Sequence, residues 1–207
     1  ELDLEGDVVS RPYLDMTCSV MRSFGAQVEQ PSPNRFVVAP NVGYTATSYM
    51  IEPDASAASY FFAAAAVTGG RVKIAGLSSE ALQGDVGFVE ILAAMGAQVT
   101  MGADFIEVQG TGSLQGIEVD MSQVSDTAQT LAAIAPFADG PVRVTGIGFI
   151  RKKETDRVGA VVTELPWAKL GVTICYDLRF PQLYRTLAEA GAGIMAIPSS
   201  FTVPTGQ

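Results

Sequence analysis

The stretch EPDASAASYFFAAAAVTGGRVKIAGL, residues 52–77, decides the fold class of this chain. Its small apolar residues predict a helix from about Ser56 to Val67. The glycine pair that follows ends this helix, because glycine tolerates the left-handed conformation common at helix C-termini. Alternating apolar and basic residues then predict a strand from Arg71 to Ala75.

The residues that follow repeat this alternation of helices and strands. A helix from about Asp85 to Met95 leads into strands Gln98–Met101 and Phe105–Gln109. Alternation of this kind predicts an α/β fold in which helices cover a sheet. Further along the chain, the pattern predicts strand Ile117–Asp120, helix Asp126–Ala138, strand Val142–Val144 and a helix from about Glu154 to Glu164.

Internal repeats support the same organisation. Three segments share a helix-like pattern that ends in glycine before a β-branched stretch, at Gly25, Gly96 and Gly171, which lie 71 and 75 residues apart. A second pair, VTGGRVKIAGL at 67–77 and FADGPVRVTGI at 137–147, has the same phase. The repeated unit is therefore about 70 residues long.

Composition excludes several classes of function. The chain has 207 residues, 48% of them hydrophobic, and a formal net charge of −9, which argues against a nucleic-acid partner bound over a broad surface. It contains no histidine, so catalytic triads that use imidazole are excluded. Cys18 and Cys175 form no disulfide framework, which favours a reducing, cytoplasmic compartment. The longest apolar run, Tyr60–Val67, is too short to span a membrane, so we expect no membrane partner.

Basic residues cluster in one part of this acidic chain. Lys153 and Arg157 lie four residues apart on the predicted helix, where like charges repel unless an anion offsets them. A phosphate or carboxylate ligand near the helix start is one explanation. A solvated face neutralised by Glu154 and Asp156 is the other. The cluster consists of Arg143, Arg151, Lys152, Lys153 and Arg157.

Polar residues precede three of the predicted helices. Asp126, or its neighbour Ser125, stands before a helix of small apolar residues, where a carboxylate acts either as N-cap or in catalysis. Asp54 has the same two interpretations. Ser10 is explained as the N-cap of the helix SRPYLDMT, with Pro12 at a favoured first-turn position.

Several motifs resemble the 5-enolpyruvylshikimate-3-phosphate synthase family of the shikimate pathway. They are SRPYLDMT, EPDASAASYFFAAAAVTGG, LQGDVGFVEILAAMGA, SDTAQTLAAIAPFADGP and RKKETDRVGAVVTEL, within residues 1–164. The resemblance implies an α/β fold of repeated βαβαββ units. It also implies transfer of the enolpyruvyl group of phosphoenolpyruvate to the 5-hydroxyl of shikimate 3-phosphate, with no metal or organic cofactor.

The same resemblance implies roles for individual residues. Those matching Ser10 and Tyr13 contact shikimate 3-phosphate. The aspartate matching Asp126 binds the substrate hydroxyls and accepts a proton. The residue matching Lys153 contacts the same substrate and is placed for proton transfer. Those matching Glu154 and Arg157 serve in proton transfer and in holding the phosphoenolpyruvate phosphate.

The last forty residues differ in charge and in resemblance. Residues 1–164 carry 10 basic and 20 acidic side chains, whereas residues 165–207 carry 3 and 2. This tail reads as a β-α-β unit and resembles the nucleophile region of the nitrilase or carbon–nitrogen hydrolase family, with Cys175 as a possible nucleophile remnant. A buried, inert cysteine is the alternative, because the hydrolase family's glutamate base and lysine have no counterpart here. The crossover of this expected chimera lies near Leu165 to Gly171.

Together the resemblances predict three domains. Residues 1–48 end an N-terminal enolpyruvyl transferase domain, residues 49–164 form part of a second, and residues 165–207 form the nitrilase-like segment. GVTICYD, residues 171–177, is expected to pair as a strand in the synthase-type sheet.

The synthase family's Lys-Ser-x-x-x-x-Arg loop, its Ser-Ser-Gln stretch and its later arginine and lysine positions have no match in this chain. Phe149 stands where some members have asparagine. Because electrostatic stabilisation is usually the largest catalytic contribution, we expect a transferase relative that is weakly active or inactive as this chain. The alternatives are a non-catalytic chimera that retains a phosphorylated-ligand surface, and a remnant of a Cys-dependent hydrolase.

Overall fold

The computed structural model describes residues 1–6, 8–40, 42–152, 162–165, 168–172 and 192–196. The chain divides into two compact units, residues 1–147 and 148–207. The domain boundaries expected after residues 48 and 164 remain predictions.

The first unit opens with one helix packed on a small antiparallel sheet. Helix α1 spans Arg11–Ser23, and the strands are β1 (Leu2–Asp3), β2 (Val28–Ser32) and β3 (Arg35–Val38), in the order β1-β3-β2. The buried residues Cys18, Ala26, Val28 and Phe36 form one cluster, joined by partly buried Leu4, Leu14 and Met21. Their burial fixes α1 on the sheet, because apolar area removed from water is the main favourable contribution to folding.

Residues 52–77 form the helix and the strand that their sequence predicts. Helix α2 spans Ala55–Thr68 and ends at Gly69, whose φ of 70° is left-handed, and β4 spans Arg71–Ala75. Asp54 is the N-cap of α2, and its Oδ1 accepts a hydrogen bond of 3.0 Å from the amide of Ala57, so the capping interpretation is confirmed. Helix α2 buries residues on several sides, including Ala58, Phe62 and Ala66, as expected of a helix that is apolar almost all round.

The rest of the first period follows the predicted order. The helix expected from Asp85 to Met95 is a 3₁₀ turn, Gly84–Gly87, followed by α3, Phe88–Ala94. Strands β5 (Gln98–Met101) and β6 (Phe105–Gln109) have the predicted bounds. Strand β6 lies between β4 and β5 and pairs antiparallel with both.

The next period contributes a parallel strand pair. Strands β7 (Leu114–Asp120) and β8 (Ala138–Thr145) pair in parallel, and α4 (Ala128–Ile134) connects them. The predicted helix from Asp126 to Ala138 is divided, with 3₁₀ turns at Ser125–Thr127 and Ala135–Phe137 on either side of α4. Pro136 explains the second break, because proline has no N–H to donate within a helix.

Helix α4 packs against α2 through a polar contact. The hydroxyls of Ser59 and Thr130 lie 2.9 Å apart, and both side chains are buried. The Ser59 hydroxyl also lies 2.6 Å from the carbonyl oxygen of Ser56, to which it donates. Because a hydroxyl carries one proton, Thr130 is the donor in the contact between the two helices.

The 70-residue period is visible in backbone geometry. Gly25 and Gly96 have φ of 88° and 104° and end α1 and α3, as the repeat predicts. Gly76 and Gly146 follow β4 and β8, and both have positive φ, 83° and 74°. The third glycine of the first series differs, because Gly171 lies within a strand.

The second unit contains a 3₁₀ turn, Gly148–Lys152, and three described strands, β9 (Val162–Leu165), β10 (Ala168–Val172) and β11 (Ala192–Ala196). Strand β10 pairs antiparallel with β9 and parallel with β11.

Two sequence predictions for this segment are tested only in part. The helix expected from Glu154 to Glu164 is a strand at residues 162–164, where β-branched Val162 and Thr163 favour extended backbone. GVTICYD was expected to join the synthase-type sheet, yet the partners of Gly171 and Val172 among the described strands belong to β9 and β11. Residues 154–161 and 173–177 lie outside the described residues, as does the helix of the expected β-α-β tail, for which the sequence pattern indicates Gln182–Ala190. Among the described helices, none combines the length and apolar character needed to cross a membrane.

Candidate functional site

Helix α1 begins in an unusual conformation at Ser10. Its φ of 55° and ψ of 40° are left-handed, and its side chain makes no capping hydrogen bond. Ser10 therefore occupies the predicted N-cap position of α1, but its side chain does not cap the helix, because a capping serine normally has extended backbone that aims its oxygen at the first-turn amides. The Ser10 carbonyl instead accepts a hydrogen bond of 3.1 Å from the amide of Tyr13.

The first turn of α1 brings Tyr13 to two carboxylates that are distant in sequence. The Tyr13 hydroxyl donates to Oδ2 of Asp126 at 2.5 Å. It also lies 3.0 Å from Oδ2 of Asp85. Tyr13 is 36% exposed, Asp126 is half-buried and Asp85 is buried. Two of the sequence-predicted site residues, Tyr13 and Asp126, are thus in direct contact.

Asp126 is not the helix cap that sequence pattern suggests. The N-cap of α4 is Thr127, which makes no side-chain cap, and Asp126 lies in the preceding 3₁₀ turn. Ser125 is buried in the same turn and is not the N-cap of α4 either. The 3₁₀ turn moves the start of α4 two residues beyond the predicted Asp126. The Asp126 carboxylate therefore does not cap α4 and instead accepts the hydrogen bond from Tyr13.

Asp85 and Ser56 belong to the site, although sequence reasoning did not select them. The Ser56 hydroxyl, in the first turn of α2, donates to Oδ2 of Asp85 at 2.5 Å. Asp85 lies in the 3₁₀ turn that precedes α3 and is only 5% exposed. A carboxylate at a predicted helix start usually indicates an N-cap. The burial of Asp85 is the feature that indicates a different role, because aspartate is seldom buried without a partner.

Hydrogen bonds connect the segment that precedes α2 to the loop that precedes the 3₁₀ turn of Asp85. Glu52 accepts hydrogen bonds from the amide of Leu82 at 2.8 Å and from the side chain of Gln83 at 3.2 Å. Gln83 also donates to the carbonyl of Pro53 at 2.7 Å, and its Oε1 accepts from the amide of Ala55 at 2.8 Å. These bonds fix the start of α2 against the turn that carries Asp85.

A pocket of about 210 Å³ opens beside these groups. Gly84 faces Pro12 so closely that a Cβ added there would lie 2.5 Å from the Cβ of Pro12. The absence of a side chain at Gly84 therefore allows α1 to approach the turn. The pocket is lined by Pro12, Tyr13, Met16, Asp54, Ser56, Gln83, Gly84 and Asp85.

The surroundings of Tyr13 determine its protonation. Burial, the hydrogen bond to Asp126 and the negative charge of Asp85 together raise the pKa of the Tyr13 phenol well above its ordinary value. The phenol is therefore a hydrogen-bond donor at every pH at which enzymes normally work. A protonated phenol beside a carboxylate can orient that carboxylate and stabilise its charge.

The remaining predicted site residues are placed as follows. Lys153, Glu154, Arg157 and Cys175 lie outside the described residues. Within the basic cluster, Arg143 on β8 pairs with Glu118 on β7, with the guanidinium nitrogen 3.8 Å from the carboxylate oxygen. This cross-strand ion pair is exposed, so it contributes little to stability.

Residues 1–185 match the EPSP synthase (3-phosphoshikimate 1-carboxyvinyltransferase) family. The chain belongs to this family. Its curated relatives include a 3-phosphoshikimate 1-carboxyvinyltransferase of a Nostoc species, 50% identical over 173 residues, which are 84% of this chain and 40% of the relative. Another, from Methanoculleus marisnigri, is 45% identical over 177 residues, 86% of this chain and 42% of the relative.

A solved EPSP synthase has a similar fold. The structure from Acinetobacter baumannii superposes with a TM-score of 0.56 at 25% identity, over 76% of this chain and 36% of that one. The α/β fold of the enolpyruvyl transferases is thus confirmed. This chain spans 40–42% of the length of the two curated EPSP synthases named above.

The family match extends past the point at which the sequence analysis expects a crossover between two families. The EPSP synthase match continues to residue 185, beyond the crossover expected near Leu165 to Gly171, and so includes Cys175. It gives no support to a nitrilase-like segment that begins at residue 165.

Proposed function

We propose that this chain forms part of an EPSP synthase and carries a portion of its shikimate 3-phosphate site. The observation that carries the proposal is the hydrogen bond from Tyr13 to Asp126. The family resemblance assigns these two residues to the same substrate, although 113 residues separate them in sequence. Their contact is what a shared substrate surface requires.

The chemistry proposed for the whole enzyme is transfer of the enolpyruvyl group of phosphoenolpyruvate to the 5-hydroxyl of shikimate 3-phosphate. Addition of that hydroxyl requires a group that accepts its proton, and the family resemblance gives this role to Asp126, which contacts Tyr13. Ser10 and Tyr13 would contact the shikimate substrate. Lys153 and Glu154 would serve in proton transfer.

Phosphate binding needs positive charge, which Lys153 and Arg157 would supply. Charge-assisted hydrogen bonds to phosphate oxygens are short and strong, so even a partial site should retain some affinity. Because the chain spans less than half of its curated relatives, we expect binding of shikimate 3-phosphate with weak turnover or none. No metal or organic cofactor takes part in this proposal.

Isothermal titration of the chain with shikimate 3-phosphate tests the proposal. We expect weak binding that declines with added salt, because salt screens the interaction between charges. Asp126→Asn should weaken binding, whereas Glu80→Gln, which changes an exposed carboxylate outside the pocket, should not. Absence of heat at millimolar ligand would contradict the proposal and favour an inert scaffold.

Two enzyme assays test the alternatives to this proposal. Turnover of shikimate 3-phosphate with phosphoenolpyruvate would exclude a non-catalytic chimera that only retains the ligand surface. Amide hydrolysis that is abolished by a thiol reagent would support a hydrolase remnant centred on Cys175, whose basis is the sequence of residues 165–207 alone. A cytoplasmic location is part of the proposal, and the free, buried thiol of Cys18 fits a reducing compartment.

A further inference from the structure

Two hydrogen-bonding contacts of Asp85 converge on a single oxygen. Its Oδ2 accepts a hydrogen bond of 2.5 Å from Ser56 and lies 3.0 Å from the Tyr13 hydroxyl. Asp85 is 5% exposed, so little water competes for that oxygen. The carboxylate is therefore held in place by α2 and in turn faces the first turn of α1.

Counting protons shows how the three groups divide their hydrogen bonds. A phenol carries one proton, and two carboxylate oxygens lie within hydrogen-bond distance of the Tyr13 oxygen. The bond to Asp126, at 2.5 Å, is the shorter of the two. Asp85 Oδ2 accepts from both Ser56 and Tyr13, so the single phenol proton faces two carboxylates and makes its shorter hydrogen bond to Asp126.

The charge of Asp85 also affects Tyr13 directly. A buried negative charge 3.0 Å from the phenol oxygen opposes formation of a phenolate and contributes to raising the pKa of Tyr13. Tyr13 therefore stays a donor. Asp85 thus controls both the position of the phenol and its ability to donate.

We propose that Asp85, held by Ser56, is a positioning residue that fixes the Tyr13 phenol so that it donates to Asp126. The proposal rests on the proposed function, in which Asp126 is the proton acceptor. The family resemblance assigns roles to Tyr13 and Asp126, and the geometry adds Asp85 and Ser56 behind them. Asp85 itself need not contact substrate.

A double-mutant cycle tests whether Asp85 acts through Tyr13. The Kd for shikimate 3-phosphate is measured for the unchanged chain, Asp85→Asn, Tyr13→Phe and the double variant. We expect Asp85→Asn to weaken binding about five-fold alone and less than two-fold in the Tyr13→Phe background, because residues in one hydrogen-bond network are not additive. Equal effects in the two backgrounds would show that Asp85 does not act through Tyr13.

A second measurement needs no ligand and keeps the two proposals distinguishable. Tyrosine labelled with ¹³C at Cζ reports the hydrogen bonding of each phenol by NMR at pH 7, and the Tyr13 signal is the one lost in Tyr13→Phe. We expect Asp85→Asn to change the Cζ chemical shift of Tyr13 and Glu80→Gln to leave it unchanged. If the chain binds no shikimate 3-phosphate but this shift occurs, the proposed function fails while the role of Asp85 stands.

An unchanged Cζ chemical shift of Tyr13 in Asp85→Asn would overturn the positioning role, whatever the binding result. Should Asp85→Asn fail to fold, Ser56→Ala replaces it, because this variant removes only the donor that holds the carboxylate. It is expected to change the Cζ chemical shift of Tyr13 by a smaller but measurable amount. A Cζ chemical shift in Ser56→Ala equal to that of the unchanged chain would likewise overturn the proposal.

Discussion

The hydroxyl of Tyr13 donates a hydrogen bond of 2.5 Å to the carboxylate of Asp126. The bond joins the first turn of α1 to the 3₁₀ turn before α4, so it forms only when two repeats of the fold are docked on each other. A contact of this kind couples the geometry of the candidate site to folding.

Stability at alkaline pH should depend on Tyr13. Its pKa is raised in the folded chain, so above about pH 10 the unfolded chain loses the phenol proton while the folded chain keeps it. The free energy of unfolding should therefore fall as pH rises above 10, and fall less steeply in Tyr13→Phe. Urea unfolding followed by circular dichroism at pH 9 and pH 11 measures this difference.

The matched control for that experiment is Tyr44→Phe, because Tyr44 is 67% exposed. This variant should retain the pH dependence of the unchanged chain. Identical pH dependence in the unchanged chain and in Tyr13→Phe would contradict the prediction.

Much of the first unit could be predicted from sequence, because its pattern is local. The helix-to-strand sequence of residues 52–77 depends on small apolar residues and a glycine stop, and strands Gln98–Met101 and Phe105–Gln109 have their predicted bounds. Patterns of this kind do not depend on partners elsewhere in the chain.

The polar site was only partly predictable, because its contacts are long-range. Asp126 and Ser10 both precede helices, and local rules treat such residues as caps. The 3₁₀ turn at 125–127 and the left-handed Ser10 override those rules. Asp85 was not predicted as a site residue, because its contacts with Ser56 and Tyr13 join segments that are distant in sequence and are visible only in the tertiary structure.

Asp54→Ala should destabilise α2 by about 1 kcal/mol, because it removes the N-cap that accepts from the amide of Ala57. Asp54→Asn retains a capping oxygen and should cost less. The measurement is the free energy of unfolding in urea, with Glu80→Ala as an exposed control outside any helix. Equal losses in Asp54→Ala and Glu80→Ala would argue against the cap.

Gly84→Ala should loosen the approach of α1 to the turn that carries Asp85. The added Cβ would lie 2.5 Å from the Cβ and 2.7 Å from the Cγ of Pro12, so Pro12 must move. Overpacking of this kind typically costs 1–3 kcal/mol, so we expect a loss of about 2 kcal/mol in the free energy of unfolding.

The control for Gly84→Ala is Gly43→Ala, where an added Cβ meets nothing within 4 Å. Its stability should match that of the unchanged chain. Because Pro12 immediately precedes Tyr13, Gly84→Ala should also weaken binding of shikimate 3-phosphate. Unaltered stability and affinity in this variant would show that α1 is not held at Pro12.

The contact between Ser59 and Thr130 should respond unequally to loss of either partner. Ser59→Ala leaves the buried Thr130 hydroxyl without the acceptor that it uses, which costs about 2 kcal/mol. Thr130→Val should cost less, about 1 kcal/mol, because Ser59 still donates to the carbonyl of Ser56. The double variant should be less destabilised than the sum of the single variants, since no hydroxyl is then left unpaired between the helices. Urea unfolding of the three variants gives these differences, and a larger loss for Thr130→Val than for Ser59→Ala would reverse the donor assignment.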